Sequence, residues 1–109
     1  QPKTETGLKT KGPKNPGGIF DKAHAILFFY HPACPYCKLQ VEQFQEHGDC
    51  LQRHRLFFVN VAERSDLARA WRVYAVPVMV LKDGESYYRV DGVLVGKDLR
   101  RFLRCDAEN

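Results

Sequence analysis

Three features of the 109-residue chain predict an α/β domain built on a mixed sheet with helices on both faces. Two short apolar runs, Ala25–Tyr30 and Leu56–Val61, flank a segment long enough for a helix, an order that makes the runs parallel neighbours through a crossover. Asp83-Gly84 stands between two further strand-like runs, Val78–Leu81 and Ser86–Val90, and so predicts an antiparallel hairpin. Helical segments lie before and after that hairpin. Four strands are expected, with a weak signal near Thr6–Thr10 for a fifth.

Residues 1–18 are rich in Lys, Gly, Pro and Thr and nearly free of apolar side chains, which predicts a flexible arm ahead of a domain over 19–109. Ile19–Lys22 has the length of a single turn. The bulky, aromatic run Ala25–Tyr30 reads as a buried strand, and His31-Pro32-Ala33 ends it. A helix is expected from about Cys34 to His47, with Cys37, Val41 and Phe44 forming one apolar stripe and Gly48-Asp49 closing it. Leu56–Val61 is a second buried strand. Ser65 and Asp66 supply an N-cap and a first-turn acid for a helix in which Leu67, Ala70 and Trp71 share a face. Val73–Val76 leaves that helix, Pro77 heads the third strand, and the fourth follows the hairpin turn. A last helix is predicted over about Lys97–Arg104, with Leu99, Phe102 and Leu103 inward. The large apolar residues on these stripes, Trp71 included, read as core.

The chemistry is carried by Cys34-Pro35-Tyr36-Cys37, where a strand gives way to a helix. Pro35 fits an early helical position, where its missing N–H matters least. A thiol there faces unpaired backbone N–H groups and the positive end of the helix dipole, both of which favour thiolate. Two intervening residues leave the sulfurs close enough for a small disulfide ring. Cys34 is expected to be the exposed nucleophile and Cys37, one turn in, the resolving partner. Tyr36, between them, is expected to be exposed and to contact substrate. His31 could steady the Cys34 thiolate if protonated, though a solvated loop histidine is the plainer reading. Zinc fits poorly: His47 and His54 follow Cys37 with gaps of nine and six residues, unlike a finger, and ten residues of helix between Cys37 and His47 span about 15 Å. No metal and no cofactor are expected.

The net charge of +4 sits mainly in the arm: residues 1–22 hold five lysines against Glu5 and Asp21, and the remaining 87 are nearly neutral. A nucleic-acid surface would gather Lys/Arg with exposed aromatics on the folded part, so no nucleic-acid partner is expected. The longest purely apolar run is six residues, far below the roughly 20 of a membrane-spanning helix. The chain begins at Gln1, which is compatible with a removed leader or a larger parent. Four cysteines, two of them outside the CxxC, favour an oxidising compartment.

The chain resembles the thioredoxin superfamily over roughly residues 24–104. The residues that carry the likeness are Ala25–Tyr30 leading to Cys34-Pro35-Tyr36-Cys37-Lys38, then Trp71-Arg72-Val73-Tyr74-Ala75-Val76-Pro77, then the hairpin Lys82–Glu85 and Asp91-Gly92. The resemblance implies that Pro77 is cis and faces the sulfurs, and that the backbone of Val76 pairs with a substrate strand; a trans Pro77 that simply starts a strand is the alternative. Ordinary cytosolic thioredoxins differ in carrying Trp-Cys-Gly-Pro-Cys and a buried Asp and Lys where this chain has Phe28 and Phe58. Pro-Tyr between the cysteines is similar to glutaredoxins and to periplasmic Dsb proteins. Glutaredoxins follow the hairpin with Gly-Gly, which Asp91-Gly92 does not match. Val before the proline is similar to the Dsb oxidants.

In that architecture Cys50 and Cys105 both emerge at the pole opposite the active site, so the resemblance implies a structural Cys50–Cys105 bridge, stabilising by about 3–4 kcal/mol; two unpaired thiols are the alternative. The resulting expectation is a monomeric, periplasmic or secreted, Dsb-like thiol–disulfide oxidoreductase that acts on cysteine-containing proteins and is reset by a redox partner protein. A thioredoxin-like reductant and a non-catalytic interaction module are the alternatives.

Overall fold

The computed structural model describes residues 8–12 and 24–105. The elements run β1 (Leu8–Thr10), β2 (His24–Tyr30), α1 (Pro35–Glu46), α2 (Gly48–Leu51), β3 (Arg55–Asn60), α3 (Ser65–Ala70), β4 (Val78–Asp83), β5 (Ser86–Asp91) and α4 (Gly96–Phe102). They build one five-stranded sheet in the order β1-β5-β4-β2-β3. β2 pairs parallel with β3, Ala25 opposite Arg55, and antiparallel with β4, Phe29 opposite Val78. The hairpin adds β5 to β4, and β1 closes the far edge antiparallel to β5.

Alternation along β2 divides the core in two. Ala25, Leu27 and Phe29 face α3 with Leu67, Ala68, Trp71 and Val73, whereas Ile26 and Phe28 face α1 and α4 with Cys37, Phe44, Leu99 and Phe102. A strand buried on both faces must be apolar throughout, which is why Ala25–Phe29 is one continuous run.

Four expectations, on Gly48, Ala70, Phe58 and the hairpin turn, need correction, and one weak signal is met. β1 is the fifth strand weakly signalled near Thr6–Thr10, and its three backbone partners on β5 hold it by ladder hydrogen bonds, which need no apolar pattern. The rest of the expected arm (1–7 and 13–18) and the turn at Ile19–Lys22 fall outside the described residues. The chain does not stop at Gly48: α1 is capped at His47, and Gly48 begins the short helix α2 instead of adopting left-handed backbone. On α3 it is Ala68, not Ala70, that joins Leu67 and Trp71 in the core. β3 is an edge strand, so Phe58 is 52% exposed instead of buried. The hairpin turn also falls one residue later than read, with Gly84-Glu85 at its tip and Gly84 at φ +64°.

The α1–α4 layer is tied by a contact no apolar pattern reveals. Gln40 is fully buried on α1, and its amide both donates to the Leu94 carbonyl (2.9 Å) and accepts from the Leu94 N–H (2.7 Å). Nearby, Gln43 Oε1 accepts from Gly96 N–H at 2.8 Å. Both ends of the buried amide are satisfied, so its burial is compatible with a stable core.

His54 predicts a pH response of the fold. Its Nε2 donates to the Leu103 carbonyl at 2.8 Å, while Nδ1 is buried and unpartnered. Burial pushes the imidazole below its usual range, with the Leu103 contact opposing. A base depressed on folding contributes stability that is complete above its unfolded pKa, about 6.5, and lost as pH falls through the folded value. Urea midpoints should therefore drop as pH falls below about 6.5 in the wild-type protein and stay flatter in His54→Gln. Equal slopes would contradict this. Asp66, held down to about 2 chiefly by the Arg64 side chain, responds only at lower pH and leaves that window clear.

Candidate active site

The site forms where β2 ends. Tyr30 closes the strand, His31–Ala33 turns the chain, and Cys34 becomes the N-cap of α1 with extended backbone (φ −91°, ψ 113°). Pro35 then starts the helix without leaving a donor orphaned. The Cys37 backbone N–H donates to Cys34 Sγ at 3.1 Å, so a sulfur takes the place of the usual capping oxygen. Charge that develops on that sulfur meets the positive end of a twelve-residue helix.

The two cysteines differ sharply in access. Cys34 is half-buried, whereas Cys37 is 3% exposed and packed with Phe28 and Phe44. Burial first, then the adjacent Cys34 sulfur, pushes the Cys37 thiol up to about 11, against a smaller opposing backbone contact from His31. At neutral pH Cys37 is a thiol. Iodoacetamide at about pH 7–8 should therefore label the reduced, native protein once, on Cys34, and reach Cys37 only after unfolding. Two labels on the native chain, read by mass spectrometry, would contradict this.

Facing Cys34 is the segment that joins α3 to β4. The Val76–Pro77 peptide bond is cis, and the Val76 carbonyl lies 3.9 Å from Cys34 Sγ. Pro77 is buried, and its carbonyl accepts from Gly92 N–H at 2.9 Å. Tyr36 is 65% exposed on the first turn of α1. Tyr74, not among the expected site residues, is 83% exposed on the segment before Pro77. A large aromatic side chain on a loop between core elements was the signal available for it.

On the other side of the cysteines lies an apolar cleft of about 350 Å³, walled by Phe28, Tyr30, Val41 and Phe58 and reaching Cys37. His31 and Lys38 line it, and among the described residues no carboxylate does. His31 Nδ1 accepts from the Ala33 N–H at 3.0 Å, a structural role in the turn that a doubly protonated ring could not fill. His47 and His54 do not gather with the CxxC. His47 meets Arg100, and His54 lies ahead of β3, at the opposite end of the sheet.

Cys50 and Cys105 are bonded to each other at that opposite pole, Cys50 from α2 and Cys105 just after α4. Arg100 packs against the bridge, 3.3 Å from Cys105 Sγ and 3.3 Å from Asp49 Oδ2. Asp49, Cys50 and Cys105 place their polar atoms within 4.8 Å of one another, but a sulfur in a disulfide is not a thiolate ligand.

A cysteine-capped helix facing a cis-proline strand defines a thioredoxin-type site. The chain belongs to the thioredoxin-like domain family, whose model matches residues 21–105. A chloroplastic thioredoxin z superimposes with a TM-score of 0.70 over 84% of this chain and 86% of its own, at 21% identity. Fasciola hepatica thioredoxin gives 0.63 at 21% identity over 74% and 79% of the two chains. At that identity the likeness concerns the fold. The oxidised mitochondrial thioredoxin 3 of Saccharomyces cerevisiae gives 0.60 at 27% identity over 68% and 71%. No curated protein matches significantly by sequence. Among the described residues no helix is long and apolar enough to cross a membrane.

Proposed function

We propose that this protein exchanges disulfides with cysteine-bearing protein substrates outside the cytoplasm, acting in the oxidising, Dsb-like direction. The observation that carries the reading is the pairing of a helix-capping Cys34, hydrogen-bonded by the Cys37 N–H at 3.1 Å, with the Val76 carbonyl 3.9 Å away. A substrate thiolate attacks Cys34 Sγ. The Cys34–Cys37 bond breaks, a mixed disulfide forms on Cys34, and Cys37 leaves and takes up a proton. A second substrate thiolate then attacks the substrate sulfur of the mixed disulfide, which closes the product disulfide and expels Cys34 as thiolate. Two electrons pass from substrate to CxxC, and a redox partner protein removes them. Val76 and Pro77 hold the substrate strand beside Cys34, and Tyr36 contacts its side chains.

Two features support the direction. Hydrogen bonding and the helix dipole act on Cys34 in its released form, and stabilising the reduced state makes the disulfide oxidising. Among the described residues the cleft at Cys37 has no carboxylate to take its proton, which hinders the step a reductant needs to clear its mixed disulfide. The Cys50–Cys105 bridge suits an oxidising compartment.

A thioredoxin-like reductant is the second reading, favoured by the likeness to a mitochondrial thioredoxin at 27% identity. Mixing the oxidised protein with a reduced, unfolded cysteine-bearing substrate separates them. The oxidant reading requires stoichiometric loss of substrate thiols and appearance of the reduced CxxC. A protein that leaves those thiols untouched yet reduces insulin fits the second reading. One that does neither is an interaction module.

A further inference from the structure

We propose that Arg89 is a positioning residue for substrate binding: from β5 it clamps the base of segment 72–77, so that Val76 and Pro77 stand fixed against Cys34. The proposal rests on the thiol–disulfide reading above and names what holds the substrate-pairing loop in place.

The segment leaves α3 through Arg72, whose φ of +56° lies in the left-handed region. There the Val73 N–H turns back to the Ala68 carbonyl at 2.8 Å, as at a glycine-capped helix end, although no glycine is present. The turn leaves the Trp71 and Arg72 carbonyls to be met by a donor from outside the helix. Arg89 supplies it: Nη1 donates to the Trp71 carbonyl and Nη2 to the Arg72 carbonyl at 3.0 Å. The other edge of the guanidinium is held by the Asp91 carboxylate, at 2.7 Å from Nε and 3.1 Å from Nη2. A planar five-donor fork makes these contacts together; a lysine ammonium cannot. The Arg89 side chain is only 19% exposed.

The far end of the same segment is tied to the same strand's end, because Gly92 N–H donates to the Pro77 carbonyl at 2.9 Å. Between the two ties, Tyr74 and Ala75 are exposed and Val76 is half-buried, with its carbonyl facing the nucleophile. A loop fixed at both ends presents a pairing edge already ordered, so a substrate strand does not bear the entropy of ordering it. Arg89 also lines a cavity of about 380 Å³ with Lys11, Trp71 and Arg72, so a shorter side chain there opens no gap in the apolar core.

The test compares Arg89→Gln and Arg89→Lys with wild type in disulfide exchange with a cysteine-bearing protein, run in the direction the wild type catalyses, alongside iodoacetamide labelling of Cys34 and amide exchange over residues 73–76. Arg89→Gln is expected to raise KM about tenfold with kcat within about twofold, the signature of lost ground-state binding. Arg89→Lys should fall between. Labelling of Cys34 should stay within about twofold of wild type, and exchange over 73–76 should quicken. An unchanged KM with an active wild type overturns the clamp alone. So does a KM rise accompanied by iodoacetamide labelling of Cys37, which would report general loss of fold. A wild-type protein that neither oxidises cysteine-bearing substrates nor reduces insulin defeats the thiol–disulfide reading itself, and the clamp's role falls with it.

Discussion

Replacing Cys34 by serine is expected to reduce disulfide exchange to background, a loss of at least about a thousandfold, whereas Cys37→Ser should stall the reaction at a mixed disulfide. The asymmetry follows from the geometry. Cys34 is the accessible sulfur, and both the Cys37 N–H and the N-terminus of α1 act on it. A serine hydroxyl in that place is not ionised at neutral pH and forms no disulfide. Cys37 is 3% exposed, and its thiol is pushed up to about 11. It reacts only with the sulfur beside it. In Cys37→Ser nothing intramolecular can displace the substrate from Cys34, so the adduct should persist as a mass increase equal to the substrate. Turnover by Cys34→Ser, or failure of Cys37→Ser to accumulate the adduct with a peptide that carries an internal disulfide, would reverse the assigned roles.

The second large effect concerns the opposite pole. The Cys50–Cys105 bridge joins residues 55 apart in sequence and links α2 to the end of α4. On the chain-entropy account a loop of that length contributes about 4 kcal/mol. Cys50 is fully buried against the α1–α4 layer, so truncation adds a small packing loss. The double variant C50A/C105A should thus lose about 4 kcal/mol and some 16–32 °C in Tm, with about 4–8 °C per kcal/mol for a domain of this size. Cys34 labelling in the cold should survive, because the bridge lies at the far end of the sheet from the CxxC. A Tm shift of only a few degrees would mean that the bridge does not constrain the unfolded chain as its span implies.

The order of elements could be read in the sequence because each signal was local. Ala25–Tyr30 is apolar without alternation because helices cover both faces of β2, and Gly84, at φ +64°, marks a hairpin by backbone conformation alone. The site was legible for the same reason: Cys34 and Cys37 lie within one turn, so no tertiary information was needed to bring them together. What escaped reading depended on partners distant in sequence. Phe58 looked like core because edge position is invisible in a six-residue run. Leu8–Thr10 was signalled only weakly, near Thr6–Thr10, because its place comes from backbone bonds to β5. Gln40, polar on the stripe side of a helix, is buried only because Leu94, 54 residues on, offers both a donor and an acceptor. Arg89 belongs to the same class, since its carbonyl partners lie 17 and 18 residues back.

The most direct measurement is the reduction potential of the Cys34/Cys37 pair, equilibrated against glutathione with the state of each cysteine read by mass spectrometry. The helix-capped Cys34 and the carboxylate-free setting of Cys37 predict an oxidising couple, near about −120 mV. A value near about −270 mV would mark a reductant and contradict the proposed direction.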